Sequence, residues 1–250
     1  MARVTRPAPV LDETAKYIYI LECMYSDGID THAGGIYMAR RTKADAQATR
    51  AGLLDAAETL FQMKGVSRTS LNDIAVAAGT TRGAIYWHFK DKADLFNAMM
   101  ERVTLPLERT LTLANVITAD DPVAEIRSAM LEALRIIATD AQTRRVLTIA
   151  THQVEYTAEL SAVQERHVRV HSECVARNQA ALARAFAARR LSAPMPLECA
   201  ALGLQVLIEG LVQKWLLDPS AFDLAACGEA TLDVYLAGLG LRARPAPPAA

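Results

Sequence analysis

The four cysteines of this 250-residue chain, Cys23, Cys174, Cys199 and Cys227, stand far apart and show no paired spacing. Such usage supplies no disulfide framework and suits reduced thiols in a cytoplasm. No apolar run approaches the roughly twenty residues that cross a bilayer, and no hydrophobic signal core opens the chain, so no membrane partner is expected. Strand-like alternation between turn signals is missing. So are a Gly-rich phosphate loop, a nucleophile elbow, an HExxH pair and a distinct carboxylate pair, which argues against an enzyme and implies no cofactor.

Ala-rich stretches with helical periodicity predict an all-α protein of nine or ten helices. With 52% hydrophobic residues, the chain has enough apolar surface for a sizeable core, and the helix-rich pattern favours two domains. The net charge of −1 is unevenly placed: residues 38–102 hold ten Lys/Arg against seven Asp/Glu, whereas the rest is acidic on balance. Only that one segment has the positive balance that steers a protein toward nucleic acid.

Within it, Thr69 to Lys92 reads as two short helices joined at a glycine. Leu71, Ile74, Ala75 and Ala78 share one helical face, Ser70 is placed to cap it, and Asp73 stands three residues on, in capping-box register. Gly79 suits the positive φ that turns the chain, and Thr80 or Thr81 then caps a second helix over about Arg82–His88. That helix turns Ile85 and Phe89 inward and Arg82, Gly83, Tyr86, Trp87 and His88 outward. A helix-turn-helix of this kind lays the N-terminal part of its second helix in the major groove. Gly83, without a side chain, permits close approach, and Lys92 opens the next helix as a cation against the helix dipole, a placement that phosphate would compensate.

Met38-Ala-Arg-Arg-Thr-Lys43, Ala57 to Gly65 and Thr81 to Lys92 resemble the TetR family of repressors, in its AcrR-like branch, and Ile208 to Leu224 is similar to the C-terminal pattern of multidrug efflux regulators. The resemblance covers roughly Met38 to Leu241. It implies a homodimeric repressor of an efflux operon that binds a palindromic operator in double-stranded DNA and is released by a small drug-like inducer, apolar or cationic. It further implies that Arg82, Gly83 and Tyr86 read or approach bases while Ser70, Thr81, His88 and Lys92 hold phosphates, with Thr80, Ala84 and Trp87 also on the DNA-binding surface.

Residues 1–37 have no helical period and read as a non-native or disordered extension, with residues 38–92 as the DNA-binding domain, 93–241 as the ligand-binding and dimerisation domain and 242–250 as a disordered tail. The codons of Gly34-Gly35-Ile36-Tyr37 admit a ribosome-binding core upstream of Met38. Those from Tyr19 to Met24 admit the inverted repeat TACATTCTAGAATGTA, which suggests control of its own gene by a twofold dimer. A disordered arm offering Arg3, Arg6 and Lys16 to phosphates is the other reading.

Beyond Pro106, helices are expected over about 107–117, 121–140, 142–158, 161–189, 196–218 and 222–239, separated by proline-bearing breaks. Leu204, Ile208, Leu211 and Trp215, with Leu232 and Tyr235, make apolar stripes that serve either a dimer interface or the intramolecular core; the resemblance favours the interface. Thr148, His152 and Glu155 share a face of the 142–158 helix, and His167, His171 and Cys174 share one on the next. Turned inward with Met100 and Leu107, these groups would line a small-molecule pocket; turned outward, they are ordinary surface residues. His167, His171 and Cys174 have ligand-like spacing but lack a fourth partner, so no metal is expected.

Overall fold

The computed structural model describes the backbone of residues 35–117 and 121–242, with side chains for 43–106 and 121–242. The readings that concern residues 1–34 and the tail beyond 242 lie outside the described residues. Among the described residues the secondary structure is helical, with no strand. The helices are α1 (Gly35–Lys64), α2 (Leu71–Ala77), α3 (Arg82–His88), α4 (Lys92–Ile117), α5 (Pro122–Thr139), α6 (Ala141–His152), α7 (Ser161–Arg189), α8 (Leu197–Leu217) and α9 (Leu224–Gly238), with a 3₁₀ turn at Ala158–Leu160. The chain divides at Ala48 and Thr49 into two units, and the cores and sites below lie in the second.

The helix starts follow their capping residues. Asp121 accepts the Val123 N–H ahead of Pro122, Asp140 accepts the Thr143 N–H, and Asp223 accepts the Ala226 N–H, each satisfying an amide that lacks a partner within its helix. Three boundaries differ from the sequence reading. α1 starts at Gly35, inside the stretch 1–37 read as lacking a helical period. Pro106 lies inside α4, which runs unbroken from Lys92 to Ile117, so the missing proline N–H is tolerated by a long helix packed on its neighbours. The helix expected over 142–158 ends at His152, where the Gln153 N–H closes the last turn on Ile149 O.

Three apolar clusters hold the unit together. Leu53, Leu54 and Phe61 of α1 pack with Ile74 of α2, Ile85 of α3, Leu95, Phe96 and Met99 of α4, and Val146 and Ile149 of α6. The apolar interior beneath the helix-turn-helix is therefore continuous with the first helices that follow it. A second cluster joins Val123 and Ile126 of α5, Leu182 and Phe186 of α7, Ala201 and Leu204 of α8, and Leu232 and Leu236 of α9. The third gathers Leu134 and Ile137 around Trp215, Leu216 and Leu224. Arg127 of α5 pins α9 by pairing with Asp233 at 2.7 Å and with Glu229.

By length and composition α8, 21 residues that include an 18-residue window of mean hydropathy 1.3, is apolar enough to cross a membrane. The sequence reading found no such run, because Glu198, Glu209 and Lys214 interrupt it. In the fold this helix lies against α7 and α9 and buries Ala200, Ala201, Leu204, Trp215 and Leu216.

Candidate functional site

The Ser70 Oγ accepts the Asp73 N–H at 3.1 Å, and Asp73 Oδ2 accepts the Ser70 N–H at 3.0 Å and the Ser70 hydroxyl at 2.8 Å. This reciprocal box starts α2, and the Ser70 donors hold the Asp73 carboxyl below the usual carboxylate range. Gly79 turns the chain at φ +66°. Of the two candidate threonines it is Thr81 that caps α3, accepting the Ala84 N–H at 3.2 Å.

Ile85 and Phe89 are fully buried against the first core, which leaves the opposite face of α3 to solvent: Thr81, Arg82, Gly83, Tyr86 and Trp87 are exposed, Ala84 and His88 half-buried. Thr80 is half-buried just before it. The Arg82 guanidinium lies 5.7 Å from the Tyr86 ring centroid, which holds the cation along the helix face. Trp87, 74% exposed, meets the His88 ring edge-on at 4.7 Å. Burial, and then the charge of Arg50, keep His88 below the ordinary histidine range, so at neutral pH it offers a neutral ring. A Cβ built on Gly83 would touch only the Thr81 hydroxyl, at 3.8 Å. The protein itself has room for a side chain there, so any demand for glycine comes from outside the chain.

Lys92 differs from the outward cation anticipated at the start of α4. It is 5% exposed, and its Nζ donates to Thr69 O at 3.2 Å and Ser67 O at 3.3 Å and pairs with Glu159 at 2.9 Å. The chain folds over the lysine stem because two carbonyls of the loop before α2 need a donor. Lys92 therefore ties that loop to α4 and the 3₁₀ turn, at the floor of a surface cleft between the Ser67–Leu71 segment, Tyr86 and Glu159 whose exposed cations are Lys90 and Arg68.

A second concavity, a cavity of about 250 Å³, opens between α4, α6, α7 and α8. Of the residues expected to line a pocket, it brings together Met100, His167, His171 and Cys174. Thr148 instead donates its hydroxyl to Arg144 O within α6. His152 and Glu155 are exposed and lie away from the cavity, because α6 stops before Glu155 can share its face. The Leu107 side chain lies outside the described residues. Phe96, Asn97, Tyr156, Arg166 and Glu209 complete much of the lining. Glu209 was legible as the one acidic residue in the middle of an apolar helix, a signal the sequence reading passed over in favour of Glu155. Tyr156 meets His167 Nδ1 at 3.1 Å, and Arg177 donates to the Cys174 sulfur at 3.0 Å. Among the described residues, no three His, Cys, Asp or Glu side chains gather to hold a metal.

The stripe assigned to dimerisation divides. Leu204 and Leu232 are fully buried and Trp215 is 5% exposed, all inside the chain's own cores. Ile208, Leu211 and Tyr235 are half-buried, and the Tyr235 hydroxyl donates to Ala200 O at 2.7 Å. The apolar side chains that these two helices leave outside are Leu202, Val206, Leu217 and Val234.

Residues 53–99 match the bacterial regulatory proteins of the tetR family, and residues 121–240 match the C-terminal region of MAATS-type transcriptional repressors. The transcriptional regulator TtgR of Pseudomonas putida is 35% identical over 199 residues, which span 80% of this chain and 95% of that one. Among solved structures, NalD, the secondary repressor of the MexAB-OprM multidrug efflux pump in Pseudomonas aeruginosa, is 40% identical with a TM-score of 0.71, covering 78% of this chain and 98% of its own. SmeT, the repressor of the Stenotrophomonas maltophilia multidrug efflux pump SmeDEF, was solved with triclosan and is 32% identical at a TM-score of 0.68, covering 80% and 99%. The capped two-helix head, its solvent-facing second helix and these matches along both halves lead to one assignment: the chain belongs to the TetR family and is a transcriptional repressor of that type, a DNA-binding regulator rather than an enzyme.

Proposed function

We propose that the chain acts in the cytoplasm as a homodimer that represses a multidrug efflux operon, and its own gene, from a palindromic operator. Residues 38–92 serve as the head and residues 93–241 as the sensing and pairing body. The observation that carries this reading is α3: a seven-residue helix whose buried side is Ile85 and whose outer side presents Arg82, Gly83, Tyr86 and Trp87. Arg82 suits guanine, Gly83 and Ala84 allow the backbone to approach, and Ser70, Thr80, Thr81 and His88 offer polar atoms to phosphates. Lys92 supports this surface from behind by holding the Ser67–Thr69 loop.

The dimer face falls on Leu202 and Val206, one turn apart on α8, and on Val234 of α9, which are 45%, 54% and 74% exposed in the single chain. Leu204, Trp215 and Leu232 support that face from within. The same pairing makes α8 a core helix of the assembly and not a membrane span. NalD and SmeT repress multidrug pumps, and SmeT takes triclosan; the corresponding inducer here is a small apolar or cationic compound in the α4–α6–α7–α8 cavity. To release DNA it must favour the non-binding arrangement, and a hundredfold preference corresponds to about 2.7 kcal/mol of coupling.

The test is fluorescence anisotropy of the chain on a duplex carrying TACATTCTAGAATGTA against a scrambled duplex, over a salt series. Specific binding to the repeat with a twofold stoichiometry supports the autoregulating dimer. Equal, steeply salt-dependent binding to both duplexes rejects that operator.

A further inference from the structure

The cavity holds an acceptor that the chain leaves half used. Glu209 enters it from α8, and its Oε1 accepts the Gln205 Nε2–H at 2.8 Å and meets His171 Nδ1 at 3.3 Å. Asn178, 7% exposed, donates its Nδ2–H to Gln205 Oε1 at 2.9 Å. That bond fixes the Gln205 amide with its NH₂ toward Glu209, so a buried asparagine on α7 sets the carboxylate's orientation through one intermediary. Both protein partners converge on Oε1, and Oε2 has no donor among the described residues.

Among the described residues of the lining, the charge opposite in sign to Glu209's own carboxylate is that of Arg166, which already pairs with Glu101 at 3.7 Å. Asn97 adds a second acceptor, a buried Oδ1 without a donor. A small apolar cavity with unfilled acceptors and, among the described residues, no unpaired cation is complementary to a ligand that donates hydrogen bonds and carries positive charge. At this partial burial the attraction is stronger than in bulk water, and an anion would meet the same carboxylate as repulsion.

We propose that the cavity selects small aromatic amines in their protonated form, anchored by Glu209, with Gln205 and Asn178 as its positioning residues. This rests on the reading of the cavity as the inducer site. About 250 Å³ accommodates a bicyclic ring with a short ammonium arm, the ring lying against Phe96 and Val170.

The test is calorimetric titration of the full chain at neutral pH with 2-naphthylmethylamine, 2-naphthylmethanol and 2-naphthoate, which share a ring and differ in charge. The amine should bind about tenfold or more tighter than the alcohol, and the naphthoate weakest. Glu209→Gln should erase the amine's preference while leaving the alcohol within about twofold, and Glu209→Asp should retain part of it. Gln205→Met, which keeps the carboxylate and removes its link to Asn178, should lower the preference by about threefold. Val170→Trp, which fills the cavity, should remove all binding. Equal binding of amine and alcohol overturns the charge selection and leaves the cavity reading standing, whereas no binding of any compound overturns both. Amine preference that survives Glu209→Gln, or binding that survives Val170→Trp, also overturns the proposal. Unchanged circular dichroism melts identify the variants that have kept the fold.

Discussion

Glu58 and Arg145, 87 positions apart in the chain, meet side chain to side chain at 3.1 Å, with the glutamate 1% exposed. The same carboxylate accepts from Arg102 of α4 at 3.3 Å and from Gln142 of α6 at 3.0 Å. One buried anion thus joins α1, beneath the helix-turn-helix, to two helices that also wall the cavity. A charge this deep is tolerable only with its donors in place.

Replacing both Arg102 and Arg145 by Ala leaves Glu58 with Gln142 as its remaining partner. The double variant should lose about 3–5 kcal/mol, more than the two single variants together, because each arginine alone still compensates the charge. Urea denaturation of the four proteins checks this, and simple additivity would show that Glu58 has no shared network.

Lys92→Met should lower stability by about 1–3 kcal/mol, since it strips Ser67 O and Thr69 O of their donor in a buried setting. Its effect on DNA affinity should follow from loosening of the Ser67–Thr69 loop. If the variant melts like the parent while losing DNA binding, Lys92 touches phosphate directly.

Arg82→Ala should weaken specific binding by about 1–3 kcal/mol and relax base preference, whereas Tyr86→Phe should cost about 1 kcal/mol, the scale of one hydrogen bond. Both residues are exposed on α3, away from Leu202, Val206 and Val234. Analytical ultracentrifugation should therefore find the same oligomeric state in parent and variants.

The stabilising contribution of two carboxylates should be complete above about pH 5 and be lost below about pH 4. Thr143 holds the Asp140 carboxyl below its usual range through hydrogen bonds to its hydroxyl and backbone, and Arg127 does so for Asp233. Because the folded values lie below the unfolded ones, the unfolded chain binds more protons in that window. The contribution is complete above the unfolded value and disappears as pH falls through the folded one. Asp140→Asn preserves the helix cap and removes the titration, so its melting temperature should decline less steeply between pH 5 and pH 2.5.

The helix-turn-helix was legible almost residue by residue. Ser70 with Asp73, the left-handed Gly79, Thr81 as cap, and the inward Ile85 and Phe89 are all local devices, set by interactions within four residues or by the period of one helix. Helices α7, α8 and α9 were legible in the same way, from proline breaks and apolar stripes.

Local rules misled where the partner is distant. Lys92 reads as an exposed cation until the Ser67–Thr69 carbonyls and Glu159 close around it. Glu155 has the right spacing from His152 only if α6 continues, and the backbone link from Val66 N–H to Gln153 O draws the chain away just there. Leu204 and Leu232 carry the same apolar signal whether they face a second copy or their own core, because hydrophobicity reports burial without naming what covers the residue.

The amino-acid sequence by itself determined the helical class, the capped reading head and the residues it turns outward, because those follow from torsional preference, short-range hydrogen bonds and helical period. The tertiary structure alone decided that Glu58 sits at a three-helix joint, that Glu209 and not Glu155 enters the cavity, and that Lys92 faces inward. Each of these depends on contacts between helices far apart in sequence, whose relative rotation and spacing are settled only when the cores of the whole unit pack together.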